Sequence, residues 1–184
     1  MKKKIIPLIA AAAVLIAAVF ALNIQSVDEY YRSNADIGSS EVPSRTVTLE
    51  IRCDTVLKNY EDLDDRLKSD EYVPPDGVIL PVTEYDLQEG DTVFSVLSRA
   101  VREKKIQMEY QGADGSGHKT VYVQGIHHLY EFSCGPLSGW MYRVNGEFPN
   151  KGCSDYELKD GDVIEWVYTC DLGQDVGMTD TYLP

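Results

Sequence analysis

The sequence predicts an α+β domain, in which a mixed sheet is covered on one face by a single main helix. Three observations lead to this class: an alternating apolar run near residue 46, one amphipathic helix pattern after residue 90, and five short strand candidates beyond it. A parallel α/β fold needs helices on both faces of its sheet, and one amphipathic helix cannot supply them. The arrangement that remains possible is one helix packed on one face of a single sheet.

Residues 46–53 open the domain as a predicted half-buried strand. The apolar positions 47, 49, 51 and 53 alternate with Thr, Glu and Arg, and a period of two places them on one face. An acidic segment follows, for which a short helix is expected at residues 57–67. After the turn Pro74-Pro-Asp-Gly77, residues 78–83 are expected to form a second strand.

The main helix is predicted to begin after Gly90. Asp91 is the expected cap for the free amide groups of its first turn. The helix would present one apolar stripe to the core, made of Val93, Val96, Leu97, Ala100 and Val101.

Five strands are predicted beyond the helix, at residues 107–111, 120–126, 129–134, 140–144 and 162–170. Asn145-Gly146 is a signal for a tight hairpin turn. The phrases Leu87-Gln-Glu-Gly-Asp-Thr-Val93 and Leu158-Lys-Asp-Gly-Asp-Val-Ile164 repeat a turn that launches the next element. The first and last strands are expected to lie side by side.

The N-terminus predicts export. Lys2-Lys3-Lys4 precede an apolar run at residues 5–22, and this order is typical of a secretory leader. The run also reaches the lower limit for crossing a bilayer, so residues 1–22 are either a signal peptide cleaved after Ala21 or a membrane anchor. Residues 23–45 are expected to form a flexible stalk, and residues 46–184 an extracellular or cell-surface domain, secreted or tethered.

The charge of the chain excludes two classes of partner. The net charge is −13, from 17 basic and 30 acidic residues, and it becomes −16 if the leader with its three lysines is removed. Binding to nucleic acid or to an anionic membrane surface requires clustered Lys and Arg. We therefore expect no nucleic-acid partner, and membrane attachment only through an uncleaved leader.

Four cysteines predict two disulfides, because an even number in an exported domain is typical of a disulfide framework. Cys53 and Cys170 end strands that are expected to be neighbours, so we predict that they pair and that Cys134 pairs with Cys153. The sequence does not choose among the three connectivities. No cysteine or histidine spacing indicates a zinc site, and the adjacent His127 and His128 are expected in a turn, so no metal is expected.

The sequence does not predict an enzyme. No Gly-x-Ser-x-Gly or His-Glu-x-x-His motif occurs, and no carboxylate is distinguished from the others as a general acid or base. We therefore expect no catalytic residues and no catalytic cofactor.

Four motifs carry a family resemblance. In order, they are Gly90-Asp-Thr-Val-Phe-Ser-Val-Leu97, Tyr122-Val-Gln-Gly-Ile126, Gly139-Trp-Met-Tyr-Arg-Val-Asn-Gly146 and Gly152-Cys-Ser-Asp-Tyr-Glu-Leu158. They resemble the transcobalamin C-terminal-like family of exported bacterial domains (domain of unknown function 4430), similar to the β-domain of vitamin B12 carriers. The resemblance implies a β-grasp-like fold and a surface that closes over one face of a corrin ring. In the carriers a large helical domain completes the clamp, so a partner protein is expected to supply that half here.

The predicted binding site centres on the strand at residues 140–144. Trp140 and Tyr142 share one face of it, Met141 and Arg143 share the other, and Ser138 and Gly139 precede it in a tight loop. The family resemblance adds Tyr122, Ile126 and Tyr156. An exposed aromatic face beside Met and Arg suits a flat, partly apolar ligand, for which a corrinoid is the first candidate.

Two alternatives to this site remain open at the level of sequence. In the first alternative, Trp140 and Tyr142 fill the core, which is the commoner place for a Trp in an alternating strand. In the second, the domain is a cell-surface module for protein–protein interaction or structural assembly, since strand edges and its 12 tyrosines suit such a role.

Overall fold

The computed structural model describes residues 44–112 and 120–178, which belong to one compact unit that begins at Ser44. The predicted leader, residues 1–22, and nearly all of the predicted stalk lie outside the described residues. Within the described part of the chain, none of the helices has both the length and the apolar character needed to cross a membrane.

The described elements confirm the α+β class, with one main helix, α2. In chain order they are β1 (Thr46–Arg52), α1 (Asp54–Lys58), β2 (Val78–Asp86), α2 (Val93–Lys104), β3 (Met108–Gln111), β4 (Tyr122–Ile126), β5 (Leu129–Tyr130), β6 (Gly139–Val144) and β7 (Val163–Thr169). Three short 3-10 helices cover Tyr60–Asp62, Asp65–Leu67 and Gln174–Val176. The single helix predicted at residues 57–67 is therefore divided into α1 and two 3-10 turns.

Four strands form a mixed sheet in the order β2-β1-β7-β6. The first and last strands, β1 and β7, are parallel neighbours, with Leu49 opposite Ile164, whereas β1–β2 and β6–β7 are antiparallel. The predicted adjacency of these two strands is confirmed. β6 is an edge strand of this sheet and carries most of the predicted site.

The remaining strands form a second sheet in the order β3-β4-β5, so the expectation of one sheet is wrong. The strand predicted at residues 129–134 stops at Tyr130, because the backbone then turns. The Tyr130 N–H donates to Ser133 Oγ at 3.1 Å, and Phe132 takes a left-handed φ of 68°. This turn separates the second sheet from β6 and creates the loop that matters for the site.

Periodicity correctly predicted which faces are buried. Val47, Leu49 and Ile51 of β1 are buried while their neighbours are half-exposed. The whole predicted stripe of α2 is buried, and it packs into the same core as the inward residues of β7, Ile164, Trp166 and Tyr168. Burying an aliphatic side chain of this size contributes about 1.5–3 kcal/mol, so this stripe is a main source of stability.

The predicted helix cap is displaced by one residue. Thr92, not Asp91, is the N-cap, and it exchanges hydrogen bonds with Ser95 in a capping box. Asp91 is buried instead, and its carboxylate accepts from the Gln88 N–H, from Ser95 Oγ and from the Arg99 guanidinium, each at 2.8 Å. The aspartate therefore fixes the turn before the helix and ties it to the helix's second turn.

The repeated phrase forms the same turn twice. The Lys159 N–H donates to Asp162 Oδ2 at 2.8 Å, as the Gln88 N–H does to Asp91 Oδ2. In both turns the aspartate N–H also donates to the carbonyl of the residue three positions earlier. One copy directly precedes α2, and the other directly precedes β7. The predicted role of this repeat is confirmed.

The predicted disulfide pairs are not formed, and all four cysteines are free thiols. The parallel register aligns Arg52 with Val167, so Cys53 is level with Tyr168 and two residues short of Cys170, a rise of about 6.6 Å along the strand. Cys134 Sγ lies 3.3 Å from the Asn59 carbonyl oxygen, whereas Cys153 Sγ lies 3.5 Å from that of Val121. The predicted partners thus occupy different surroundings.

Candidate functional site

An apolar cavity of about 390 Å³ lies beside the start of β6. The loop that leads into β6 and the segment that follows β7 both contribute to its walls. The cavity contains five of the nine predicted ligand-binding residues, Tyr122, Ser138, Gly139, Trp140 and Met141, together with Glu131, Phe132, Pro136, Leu137, Thr169, Leu172 and Met178. The structure therefore brings five of the predicted residues together on one surface feature.

Three large apolar side chains on this cavity are exposed to solvent. Phe132 is 64% exposed, Leu172 is 50% exposed and Leu137 is 42% exposed. Single exposed apolar residues are common, but three around one cavity form a patch of the kind that marks binding sites. We call Phe132, Leu137 and Leu172 the apolar rim.

Two members of the apolar rim have a disfavoured backbone conformation. The φ angle is 68° at Phe132 and 48° at Leu172, in the left-handed region that bulky residues rarely adopt. Both backbones are held in place: the Phe132 N–H donates to the Ser138 carbonyl at 2.9 Å, and the Leu172 N–H donates to the Leu137 carbonyl at 3.0 Å. The first bond closes the loop before β6, the second joins that loop to the turn after β7, and together they fix the rim.

Trp140 forms the inner wall of the cavity rather than an exposed face. It is only 8% exposed, its indole N–H donates to the Leu129 carbonyl at 2.7 Å, and its ring packs edge-on against Tyr168. The expectation of an exposed aromatic face is therefore wrong, and the core alternative describes this ring better. Trp140 is opposite Tyr168 of β7, so both side chains point to the buried face of the sheet. Trp140 therefore borders the cavity only by its edge.

Ser138 holds the base of the loop. It is buried, its Oγ accepts from the Cys134 N–H and from the Tyr168 hydroxyl, each at 3.0 Å, and it donates to the Gly135 carbonyl at 2.8 Å. Ser138 therefore supports the shape of the cavity from beneath.

Tyr122 and Glu131 provide a polar pair on the wall. The Tyr122 hydroxyl donates to Glu131 Oε2 at 2.6 Å. Partial burial, and then the hydrogen bond and charge of Glu131, raise the pKa of Tyr122 to about 12. The pair thus presents a neutral phenol and an anionic acceptor at neutral pH.

A smaller depression of about 220 Å³ continues along β6. It shares Trp140, Met141 and Met178 with the cavity and adds Tyr142, Phe148, Pro149 and Asn150. The Tyr142 hydroxyl donates to the Lys151 carbonyl at 2.6 Å, and burial raises the pKa of this phenol. Predicted residues along β6 therefore border two connected apolar surfaces.

Three predicted residues lie outside both depressions. Ile126 is fully buried in the core, and Tyr156 is half-buried with its ring edge-on to Tyr142. Arg143 pairs with Glu165 at 2.6 Å on the other face of β6, so its guanidinium is already neutralised.

The two histidines lie in a turn between β4 and β5, as predicted, and both have positive φ. His127 Nε2 is 2.8 Å from the Glu71 carbonyl oxygen, and the His128 ring packs edge-on against Tyr72. Among residues 44–112 and 120–178, no three His, Cys, Asp or Glu side chains are grouped as a metal site requires.

The apolar rim was not predicted from the sequence. Phe132 was placed inside a predicted strand, and Leu137 and Leu172 stand alone among turn residues in Gly135-Pro-Leu-Ser-Gly139 and Cys170-Asp-Leu-Gly173. An isolated large apolar residue within a glycine-rich turn was the available signal, because such a residue has no strand face through which to reach the core.

Residues 90–170 match the family described as "Domain of unknown function (DUF4430)". This is the family that the four sequence motifs resemble, and the match over residues 90–170 confirms that resemblance. The DUF4430 segment runs from the turn before α2 to the end of β7, and it contains Phe132, Leu137 and Trp140. Leu172 and Met178 follow it directly. No protein among the curated sequences matches the chain.

Two solved structures show a limited similarity to the chain. One is a protein of Ruminococcus gnavus ATCC 29149 for which metal binding has been proposed, with 14% identity, a TM-score of 0.42, and coverage of 68% of this chain and 96% of that one. The other is haptocorrin in complex with Cbi, with 15% identity, a TM-score of 0.43, and coverage of 82% of this chain and 27% of that one. At TM-scores below 0.5, neither structure supports an argument about this chain.

Proposed function

We propose that this protein is an exported, non-catalytic ligand-binding domain with a β-grasp-like fold, and that its ligand occupies the cavity beside Trp140. A corrinoid is the first candidate, as the family resemblance implies. One observation carries the proposal: Phe132 and Leu172 keep exposed apolar side chains on strained backbones at the mouth of the same cavity. An exposed apolar side chain and a left-handed backbone are both unfavourable for folding alone, and a bound ligand would give both a purpose.

The size and lining of the cavity suit a flat, partly apolar molecule. Its volume of about 390 Å³ lies within the range of roughly 300–1,000 Å³ found for small-molecule sites. The apolar rim would cover a ring face, and Glu131 would accept a hydrogen bond from an amide at the ring's edge. A partner protein that covers the open side would complete the enclosure that a lone half-clamp lacks.

The chemistry of the walls favours binding over catalysis. The ionisable groups that line the cavity are Tyr122 and Glu131, which satisfy each other. Raising the pKa of Tyr122 leaves its phenol neutral and makes it a poor base at neutral pH. Met141 and Met178 adapt to different ligand shapes, which is a property of binding surfaces.

Titration with cobinamide and with cobalamin tests this proposal. The variant Trp166→Phe leaves Trp140 as the sole Trp of the chain, so its fluorescence reports on the cavity while corrin absorbance reports on the ligand. We expect a saturable change in both signals, which weakens at least tenfold in Phe132→Ser. Val82→Ser is the matched control, because Val82 is 65% exposed and lies outside the cavity. No saturable change up to millimolar corrinoid would exclude this ligand class.

A surface interaction module is the second candidate function. β6 is an edge strand of the four-stranded sheet and borders both apolar depressions, so an extended segment of a partner protein would add beside it and fill them. Sedimentation velocity distinguishes self-assembly from ligand binding. A concentration-dependent dimer that Phe132→Ser dissolves, in protein that binds no corrinoid, would favour the interaction module.

A further inference from the structure

Cys134 and Cys170 lie in the two loops that carry the apolar rim. Cys134 is buried in the loop before β6, and Cys170 is half-buried directly after β7. The Asn59 carbonyl oxygen is 3.3 Å from Cys134 Sγ, and Thr55, one helical turn earlier, donates from its hydroxyl to the carbonyl of Tyr168, two residues before Cys170. The segment at residues 55–59 therefore contacts both loops, and each thiol affects the pKa of the other.

The two loops that carry these thiols are already docked. The Leu172 N–H donates to the Leu137 carbonyl at 3.0 Å, and the Tyr168 hydroxyl donates to Ser138 Oγ at 3.0 Å. The Cys170 N–H is itself fixed by Asp175 Oδ2 at 2.8 Å. A covalent bond between the thiols would therefore fasten two loops that already contact each other.

We propose that Cys134 and Cys170 form a disulfide when the protein meets an oxidising disulfide, and that this bond fastens the two loops bearing the apolar rim. The pairing differs from both pairs predicted from the sequence. It leaves Cys53 and Cys153 as buried thiols of the core.

The chemistry is two successive thiol–disulfide exchanges. The Cys170 thiolate, which is the more accessible, attacks one sulfur of a small disulfide such as oxidised glutathione and releases one thiolate. The Cys134 thiolate then attacks Cys170 Sγ in the mixed disulfide and releases the second. The two cysteines lose two electrons and two protons, and the oxidant is reduced to two thiols.

The surroundings of the cysteines assign these roles. The neighbouring Cys134 thiol lowers the pKa of Cys170, against the effect of burial, and Thr55 and Asn59 add to the lowering. Burial raises the pKa of Cys53 to about 12 and that of Cys153 to about 11. The latter two thiols are therefore poor nucleophiles at neutral pH, and they lie deeper than Cys170.

Peptide mapping tests the pairing directly, because trypsin places each cysteine on a separate peptide. Cleavage after Lys and Arg gives residues 53–58, 120–143, 152–159 and 160–184. The reduced, folded full-length chain is treated with oxidised glutathione, remaining thiols are alkylated, and the digest is analysed by mass spectrometry without reduction. We expect peptide 120–143 linked to 160–184, and alkylated 53–58 and 152–159.

Serine variants provide the controls. Cys53→Ser and Cys153→Ser are expected to retain the cross-link, whereas Cys134→Ser leaves Cys170 as an alkylated thiol or a glutathione adduct. Four alkylated cysteines, or a link from 53–58 to 160–184 or from 120–143 to 152–159, would overturn the pairing. The assay contains no ligand, so a failure of the corrinoid proposal leaves its result unchanged.

Discussion

Phe132 and Leu172 lie on one cavity, and the backbone φ of each is positive, at 68° and 48°. The first belongs to the loop before β6 and the second to the turn after β7, so separate parts of the chain bring the same disfavoured arrangement to one place. A left-handed residue with a side chain costs about 1–2 kcal/mol, and a side chain that stays exposed gains no burial energy to offset that cost. The proposed binding role rests on this relationship between Phe132 and Leu172.

Replacing either residue by glycine is predicted to stabilise the protein. Glycine removes the left-handed penalty of about 1–2 kcal/mol and adds about 0.5–1 kcal/mol of chain entropy cost, for a net gain of about 0.5 kcal/mol. Urea unfolding of Phe132→Gly and Leu172→Gly measures this gain. Lys105→Gly is the control, because Lys105 has φ 57° at the end of α2, and it should gain a similar amount. Destabilisation of only the two rim variants would show that these side chains support the fold.

The twin aspartate turns are predicted to differ in strength. Asp91→Ala removes acceptors for Gln88, Ser95 and Arg99, and it leaves the Arg99 guanidinium without its carboxylate. Asp162→Ala removes acceptors for Lys159 and Asn145 only. We expect losses in the free energy of unfolding of about 2–3 and about 1–2 kcal/mol, respectively. Equal losses in urea unfolding would mean that the Arg99 pair contributes little.

His127 is predicted to make stability depend on pH. Burial lowers its pKa below the ordinary 6.5, with the nearby His128 lowering it further and Glu71 opposing both. Because the folded pKa is depressed, the unfolded chain binds the proton more readily, so this contribution is full above pH 6.5 and is lost as pH falls. His127→Asn, which tolerates the left-handed turn, is the matched variant. The wild type should lose stability relative to it between about pH 7.5 and pH 5, and parallel pH profiles would contradict the assignment.

The phenol on the cavity wall is predicted to titrate late, and Glu131 is part of the cause. The pKa of Tyr122 is raised to about 12 by burial, by its hydrogen bond to Glu131 and by the charge of that carboxylate. Its stabilising effect is thus present below pH 10 and lost as pH rises towards 12. Phenolate absorbance, compared with that of Tyr122→Phe, isolates this titration. Glu131→Gln should lower the midpoint, whereas Glu109→Gln, which removes the acceptor of Tyr130, should leave it unchanged.

Features that depend on neighbouring residues were predictable from the sequence. The alternation in β1, the buried stripe of α2 and the repeated aspartate turn all arise from local periodicity and local hydrogen bonds. Asn145-Gly146 likewise forms a turn with two positive φ angles, at 54° and 82°. In each case a short run of residues determines the structure without reference to the rest of the chain.

Features that depend on contacts between distant parts of the chain were not predictable from the sequence. The strand predicted at residues 129–134 ends at Tyr130, and this early end divides the predicted sheet in two. The parallel register of β1 and β7 separates Cys53 from Cys170, a two-residue offset that no spacing along the chain reveals.

In the candidate site, too, local sequence and distant contacts determine different features. Trp140 was predicted to belong to the site and does border the cavity, but the pairing of β6 with β7 turns its ring inward. The apolar rim depends on two loops meeting at Leu137 and Leu172, which are 35 residues apart in sequence. Hydrophobic patterns indicate which residues of a strand or helix are buried, but they give little information about apolar residues that stay exposed in turns.

The affinity of cobinamide for wild type, Phe132→Gly and Lys105→Gly tests the central claim most directly. We predict that Phe132→Gly binds at least tenfold more weakly although it is no less stable, and that Lys105→Gly binds like the wild type. The strained rim would then be retained for ligand rather than for folding. Undiminished binding by Phe132→Gly, or no binding by the wild type, would contradict the account.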